Sequence, residues 1–190
     1  MIALDARVFR ALHEALGGSH VLWVMAALTV IGNGWILALA LPFLARARTR
    51  RFAVALLGVA ATQGAIVALV KTLVQRTRPC RCLEGIHARI FAAPTDYSFP
   101  SGHSAGSFAI AAFVAVVVLS LPRSDTGLLG SDARRYALVA GVFALALGIA
   151  LSRIALGVHF PGDVAAGALV GGTVGAVGAR LYVRGAKAHP

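Results

Sequence analysis

The sequence predicts an all-α fold, a polytopic membrane bundle of about five transmembrane helices preceded by an amphipathic helix at the membrane surface. Of its 190 residues, 58% are hydrophobic and 13% are charged, whereas a soluble domain carries about 25% charged residues. The mean hydropathy is +0.81. Five stretches approach the roughly 20 residues that a helix needs to cross a bilayer. They lie near residues 21–45, 52–74, 104–121, 136–157 and 161–183.

The amino-terminal segment, residues 1–20, differs from these spans. Its charged residues are not typical of a secretory signal peptide, and Gly17-Gly18 would end a helix there. The apolar side chains recur every four residues, as on one face of an interfacial helix over residues 3–16: Leu4, Val8, Leu12 and Leu16. Such a helix either anchors the chain, which we favour, or borders a site laterally.

The last predicted span is rich in small residues. Its Gly-xxx-Gly spacings, Gly167/Gly171 and Gly171/Gly175, suit close helix contacts in lipid. We interpret them as packing within the chain rather than as a dimer interface, and we treat residues 1–190 as a single membrane domain. The oligomeric state stays open.

The net charge of +11 is placed in a way that predicts membrane orientation. Three basic clusters fall on one side if the spans alternate: Arg46, Arg48, Arg50 and Arg51; Arg123, Arg134 and Arg135; Arg180, Arg184 and Lys187. Basic short loops mark the cytoplasmic face, so residues 75–103 and 152–163 are expected to face the periplasm or the outside of a bacterial-type inner membrane. The sequence lacks the basic, aromatic-interleaved surface of a nucleic-acid-binding protein.

The second span ends in a cluster of cations, KTLVQRTRP. Lys71 and Arg78 are seven residues apart and would lie on one helix face, with Pro79 ending the helix. Cations are costly within hydrocarbon unless they have a partner or a watery cavity. Arg binds two phosphate oxygens at once and Lys supplies a compact charge, so this pair predicts an anion site.

The third span begins with Pro100-Ser101-Gly102-His103. Ser101 is a favourable N-cap, and Gly102 allows the backbone to approach a ligand closely. Free N–H groups and the helix dipole make such a helix start suitable for phosphate. His103 then lies where an imidazole can donate a proton.

The third cluster connects the fourth and fifth spans and contains Ser152, Arg153, His159 and Asp163. The four-residue spacing brings Asp163 within reach of one His159 ring nitrogen. A carboxylate there fixes the tautomer and leaves the other nitrogen free for attack. Asp163 is also in position to cap the last helix.

The three clusters resemble, residue for residue, the three-part signature of the type 2 phosphatidic acid phosphatase superfamily, which includes membrane lipid phosphatases and soluble vanadium haloperoxidases. The resemblance implies a reaction without metal or cofactor. His159 attacks phosphorus, Asp163 orients it, and His103 protonates the leaving oxygen. The phosphoryl oxygens would be held by Lys71, Arg78, Ser101, Gly102 and Arg153. Many membrane members have six spans, so the role of residues 1–20 is open.

Several residues near the motifs receive a more modest interpretation. Arg76 is expected to extend to the membrane surface. The loop over residues 83–99 is interpreted as solvated, although His87 and Arg89 can reach a headgroup there and Asp96 and Tyr97 are left open. Cys80 and Cys82 are too close in sequence for an ordinary disulfide and are expected to have no catalytic role, while a link to another chain stays open.

The expected substrate is a lipid phosphate whose tail remains in the bilayer. By analogy with small bacterial members we favour undecaprenyl diphosphate, followed by phosphatidylglycerophosphate or phosphatidic acid. The alternatives are a lipid phosphotransferase that uses the same histidine and a non-catalytic lipid-binding or transport protein. The latter is less consistent with the sequence, which shows neither an internal repeat nor paired broken helices.

Overall fold

This computed structural model describes residues 2–34, 41–121 and 130–188. All regular secondary structure within these ranges is helical. The predicted all-α class is confirmed. In chain order the helices are α1 (Ile2–Ala15), α2 (Ser19–Ile31), α3 (Leu41–Leu44), α4 (Ala47–Val74), α5 (Pro79–Cys82), α6 (Gly102–Ser120), α7 (Asp132–Ala155) and α8 (Pro161–Ala188). The segments that include α4, α6, α7 and α8 are each long and apolar enough to cross a membrane.

The first predicted span, residues 21–45, is not one continuous helix. α2 ends at Ile31 and the chain turns at Gly32-Asn33-Gly34, while residues 35–40 lie outside the described ranges. Glycine disfavours a helix interior, and a side chain at Gly32 would collide with Ile149 of α7. α1 and α2 instead form a pair bent by 112°. Together the two helices are long and apolar enough to form a fifth span.

Among the described helices, α6 and α8 pack against each other most extensively. A Cβ atom added at Gly167, Gly171 or Gly175 would overlap the backbone of α6, at the carbonyls of Ser101 and Ala105 and at that of Ala109. The prediction that the Gly-xxx-Gly spacings serve packing within the chain is confirmed. The close approach sets the starts of α6 and α8 side by side, where the Ser101 N–H donates to the Asp163 carbonyl at 3.0 Å.

The amphipathic amino-terminal helix is α1, and it packs against the end of the bundle that carries the three motifs. Phe9 is fully buried against Ile154 and Phe160, while Leu4 and Val8 are exposed. α1 therefore lies beside the predicted site, which is the alternative to the favoured anchor role. Its role as a membrane anchor stays a prediction.

The end of α4 differs from the prediction. The helix stops at Val74, and Gln75 adopts a left-handed conformation with φ of 50°. Pro79 does not end α4 but begins the short helix α5, because proline is well suited to a first helical position. Lys71 and Arg78 therefore do not share a helix face, and the turn at 75–78 brings them together.

Candidate active site

The three sequence clusters meet around one pocket of about 330 Å³ at one end of the bundle. Six of the eight predicted site residues line it: Lys71, Arg78, Gly102, His103, Arg153 and His159. The other two, Ser101 and Asp163, are fully buried beside the first turns of α6 and α8. Pro94 and Asp96 of the 83–99 loop also line the pocket.

The contacts of His159 determine which ring nitrogen carries the proton. Its Nε2 lies 3.0 Å from a terminal nitrogen of Arg78, which also donates to the Val158 carbonyl at 2.8 Å. A guanidinium can only donate, so Nε2 must accept and the proton of the neutral ring sits on Nδ1. The lone pair that a nucleophile needs is thus on Nε2, the nitrogen beside Arg78.

Nδ1 of His159 faces a carboxylate and a hydroxyl. The Asp163 Oδ2 atom lies 3.5 Å away and the Ser98 Oγ atom 3.4 Å away. Ser98 donates to the same Oδ2 at 2.5 Å, as does the Phe160 N–H at 2.8 Å. Asp163 therefore caps α8 in the way a capping box does while it faces His159. Ser98 was missed, and no motif around it signals this role.

Burial and neighbouring charge keep His159 neutral. Loss of solvent is the largest effect and lowers the pKa of His159 to about 4, aided by Arg78 and Arg153 and opposed by the Asp163 carboxylate. An imidazole with this pKa is unprotonated at neutral pH, as a nitrogen nucleophile requires.

Asp96 joins the two cations of the first motif. Lys71 Nζ pairs with its Oδ2, and Arg78 donates to its Oδ1 at 2.6 Å. Burial alone would raise the pKa of Asp96, but the hydrogen bonds from Lys71 and Arg78 outweigh it and bring the pKa to about 2. The Asp96 carboxylate thus occupies the position between Lys71 and Arg78 where the sequence predicts a bound phosphate. The sequence left Asp96 open because its loop carries no pattern that predicts its position.

Arg153 completes the ring of cations from the last turn of α7. Its side chain is 7% exposed, and a terminal nitrogen donates to the Thr29 hydroxyl at 2.5 Å. The Ser152 hydroxyl, which donates to the Ile149 carbonyl at 2.6 Å, lies 3.1 Å from the same Thr29 hydroxyl. The Arg153 Nε atom is buried without a protein partner among the described residues. Thr29 of α2 is a second contact that sequence reasoning missed, since it lies more than a hundred residues away in the chain.

The start of α6 supplies the remaining predicted residues. Ser101 is the N-cap, and its hydroxyl accepts from Ser104 N at 3.4 Å, so the structure places this hydroxyl beneath the pocket rather than in its lining. A Cβ atom at Gly102 would meet only Val67, at 3.8 Å. The missing side chain therefore leaves room in the pocket, into which His103 also extends.

Two arginines near the motifs depart from expectation. Arg76 does not extend to the surface: it donates to Asp163 Oδ1 at 2.7 Å and to Asp5 Oδ2 at 2.6 Å. A largely buried guanidinium needs paired anions, and these two carboxylates supply them. Arg89 donates to the His13 carbonyl at 2.9 Å and holds the 83–99 loop against α1. Cys80 and Cys82 are free thiols.

The sequence matches the PAP2 superfamily over residues 52–186. The chain belongs to this superfamily. PAP2 is the phosphatidic acid phosphatase family that the three motifs resemble, so the recognition made from sequence is confirmed. The described helices and this membership make the chain a multi-pass membrane protein and a PAP2-type lipid phosphatase.

Among PAP2 relatives, decaprenylphosphoryl-5-phosphoribose phosphatase of Mycobacterium tuberculosis, in strains CDC 1551/Oshkosh and ATCC 25618/H37Rv, is 33% identical over 145 residues. That region covers 76% of this chain and 69% of the relative. The crystal structure of Aquifex aeolicus LpxE has a TM-score of 0.72 and 28% identity, covering 93% of this chain and 95% of its own. A transmembrane PAP2 type phosphatidylglycerolphosphate phosphatase from Bacillus subtilis has a TM-score of 0.74 and 21% identity, covering 99% and 87%; this likeness concerns the fold.

Proposed function

We propose that this phosphatase removes the terminal phosphate of a polyprenyl lipid through a phosphohistidine on His159, without a metal ion. One observation carries the proposal. Nε2 of His159 is an acceptor beside Arg78 at 3.0 Å, in a pocket that Lys71 and Arg153 also line. A lone pair among converging cations is suited to attack on an anionic phosphoryl group.

In the first step Nε2 of His159 forms a bond to phosphorus as the bond from phosphorus to the lipid oxygen breaks. His103, across the same pocket, gives its proton to that leaving oxygen. Nδ1 keeps its proton, and the positive charge on the phosphorylated ring is stabilised by Asp163. The lipid product leaves with a hydroxyl or, from a diphosphate, with one phosphate.

In the second step water attacks the phosphohistidine. His103, now neutral, accepts a proton from the water as the phosphorus–nitrogen bond breaks, and inorganic phosphate leaves. Lys71, Arg78 and Arg153 neutralise the phosphoryl oxygens in both steps. Preorganised donors of this kind each contribute about 2.7–4 kcal/mol to lowering a barrier.

An apolar cavity supports a long-chain substrate. A space of about 270 Å³ lies between α2, α4, α6 and α7, and it shares Gly102 and His103 with the phosphate pocket. An apolar chain can therefore lie beside a phosphate bound at His159. The relative whose name specifies a decaprenylphosphoryl substrate favours a polyprenyl chain, and we retain undecaprenyl diphosphate as the first candidate.

The test is phosphate release in detergent micelles containing EDTA, with undecaprenyl diphosphate, decaprenylphosphoryl-5-phosphoribose and phosphatidylglycerophosphate as separate substrates. We expect release by the wild type and none by His159→Ala, while His87→Ala, an exposed histidine, retains activity. A folded His159→Ala protein with near-normal turnover would exclude the nucleophile. Preference for phosphatidylglycerophosphate would exclude the polyprenyl substrate, and phosphate transfer to an added alcohol in place of release would indicate a transferase.

We also propose that the pocket faces the periplasm. The described residues of the basic clusters lie at the other end of the helices, where Arg51 of α4 donates to the Gly185 carbonyl of α8 at 2.8 Å. Labelling of Cys82, which is exposed, by a membrane-impermeant maleimide in spheroplasts tests this orientation. We expect labelling of Cys82 in intact spheroplasts. Arg50→Cys, made in a Cys80→Ser/Cys82→Ser background, should react only after lysis, and the reverse pattern would invert the topology.

A further inference from the structure

The side chain of Arg76 connects the amino-terminal helix to the catalytic carboxylate. Its two terminal nitrogens donate to Asp5 Oδ2 at 2.6 Å and to Asp163 Oδ1 at 2.7 Å. The guanidinium carbon lies 4.1 Å from the centre of the Phe160 ring. The Arg76 side chain is 22% exposed, that of Asp5 16% and that of Asp163 0%, so this three-residue chain is largely shielded from water.

Arg76 and Asp5 lie behind the site rather than in it. Among the described residues, the lining of the phosphate pocket includes neither, and both instead border a separate cleft with Leu4 and Val8. Neither side chain is placed to touch a phosphoryl group bound at His159. Any effect on the reaction must therefore pass through Asp163.

Asp5 also fixes the start of α8. Its Oδ1 atom accepts the Gly162 N–H at 2.9 Å, in the first turn of the helix, where a carboxylate is favourable for the dipole. α1 itself is held by Phe9, which is fully buried against Phe160. α1, the 75–78 turn and α8 thus meet at Asp163.

The two oxygens of the Asp163 carboxylate accept different hydrogen bonds. Oδ2 accepts from the Ser98 hydroxyl and the Phe160 N–H and faces Nδ1 of His159. Oδ1 accepts from Arg76. A buried carboxylate is costly unless it is paired, and a two-sided set of donors fixes its plane. Removing the guanidinium would leave Oδ1 unpaired and allow the carboxylate to turn away from His159.

We propose that Arg76, held by Asp5, is a positioning residue that fixes the Asp163 carboxylate against Nδ1 of His159, so that nucleophile orientation depends on the docking of α1. The inference rests on the proposed phosphohistidine mechanism. It makes the amino-terminal helix part of the catalytic apparatus, although α1 carries no residue of the three motifs.

The kinetic test compares kcat, KM and inhibition by inorganic phosphate. For Arg76→Gln we expect kcat to fall by about 10-fold to 100-fold, as for loss of other groups that orient a reacting residue. KM and the phosphate inhibition constant should stay within about twofold, because Lys71, Arg78 and Arg153 are unchanged. Arg76→Lys keeps a cation and should recover part of kcat. A purely structural role would reduce the folded fraction and leave the kcat of the folded protein unaltered.

Two matched variants test whether the loss of any nearby charge lowers kcat. A third variant tests the proposal with a change that should not disturb folding. Arg81→Gln and Glu14→Gln remove exposed charges near the same end and on α1, and both should retain kcat. Asp5→Asn is nearly isosteric and keeps an oxygen for Gly162, so it should fold and lower kcat by about threefold or more. Normal kcat in both Arg76→Gln and Asp5→Asn would overturn the proposal.

A second readout needs no activity and separates this inference from the proposed function. In protein labelled with 15N-histidine, the His159 signals, assigned by their absence in His159→Ala, report the hydrogen bonding of Nδ1–H. Because Arg78 still donates to Nε2, we expect the Nδ1–H tautomer in both proteins, and we expect the Nδ1 proton signal to move upfield in Arg76→Gln as the Asp163 carboxylate turns away. An inactive wild type with this shift of the Nδ1 proton would refute the function but support the positioning role, whereas an unchanged Nδ1 proton shift would refute the positioning role.

Discussion

The two ends of the bundle are both rich in cations but differ in what surrounds them. At the basic end most of the arginines are exposed: Arg46, Arg50, Arg51, Arg134, Arg180 and Arg184. At the pocket end Arg78 is 3% exposed and Arg153 7%. An exposed cation is hydrated, whereas a buried one requires partners or a ligand. Positive charge alone therefore does not indicate the site; burial and convergence do.

The largest effect that tests this comparison is the loss of a buried arginine. Arg78→Ala removes a phosphoryl contact and the bond that makes Nε2 of His159 an acceptor, so kcat/KM should fall by about 100-fold to 1,000-fold. Arg50→Ala at the exposed end should leave kcat/KM unchanged. Phosphate release by both purified proteins measures the difference, and equal losses would show that the two ends do not differ as described.

The acidic limb of the pH dependence of kcat/KM should follow His159. Because its pKa lies at about 4, the neutral nucleophile persists at neutral pH, and this limb should fall below that pKa by about tenfold per pH unit, while a separate alkaline limb should report loss of the proton that His103 donates. Rates measured from pH 3 to pH 8 with a polyprenyl substrate test this. Protein returned to pH 7 must regain full activity, and an acidic limb near the ordinary histidine pKa would contradict the buried, neutral ring.

Substitution of Asp96 sharpens the comparison because it removes the anion that now pairs the cations. In Asp96→Asn, Lys71 and Arg78 are free for phosphate, so KM should fall by about threefold to tenfold. The pKa of Asp96 is lowered to about 2, so its stabilising effect is present above the ordinary aspartate pKa and is lost as pH falls towards 2. Thermal melts of the wild type should show a corresponding loss that the variant lacks, and an increased KM would instead make Asp96 a substrate ligand.

An effect of similarly modest size is expected at the hydroxyl that holds Arg153. Thr29→Val keeps the shape but removes the acceptor at 2.5 Å, so kcat/KM should fall by about threefold to tenfold, the range of one net hydrogen bond. Thr72→Val is the matched control, since Thr72 is exposed and bonds within its own helix, to Leu69. Equal activity of the two variants would show that Thr29 does not position Arg153.

Sequence reasoning identified residues whose function is signalled by local patterns. Lys71, Arg78, His103, Arg153 and His159 were chosen from their motifs, and all line one pocket. Their individual roles stay predictions until the variants are measured. The residues that were missed, Ser98 and Thr29, and Asp96, whose role was left open, lie in a loop and a helix without such patterns. The sequence predicts a surface position for Arg76, because the two carboxylates that it contacts, Asp5 and Asp163, are distant in the chain.

The sequence by itself determined the helical membrane class and the chemical groups of the site, because hydropathy, glycine spacing and short motifs are local properties of the chain. The tertiary structure decided how these groups are arranged. It alone places Thr29 on Arg153, Asp96 between two cations, and Asp5 behind Asp163, through hydrogen bonds that join residues distant in sequence. Such contacts depend on which helix ends pack together, and no local pattern encodes that choice.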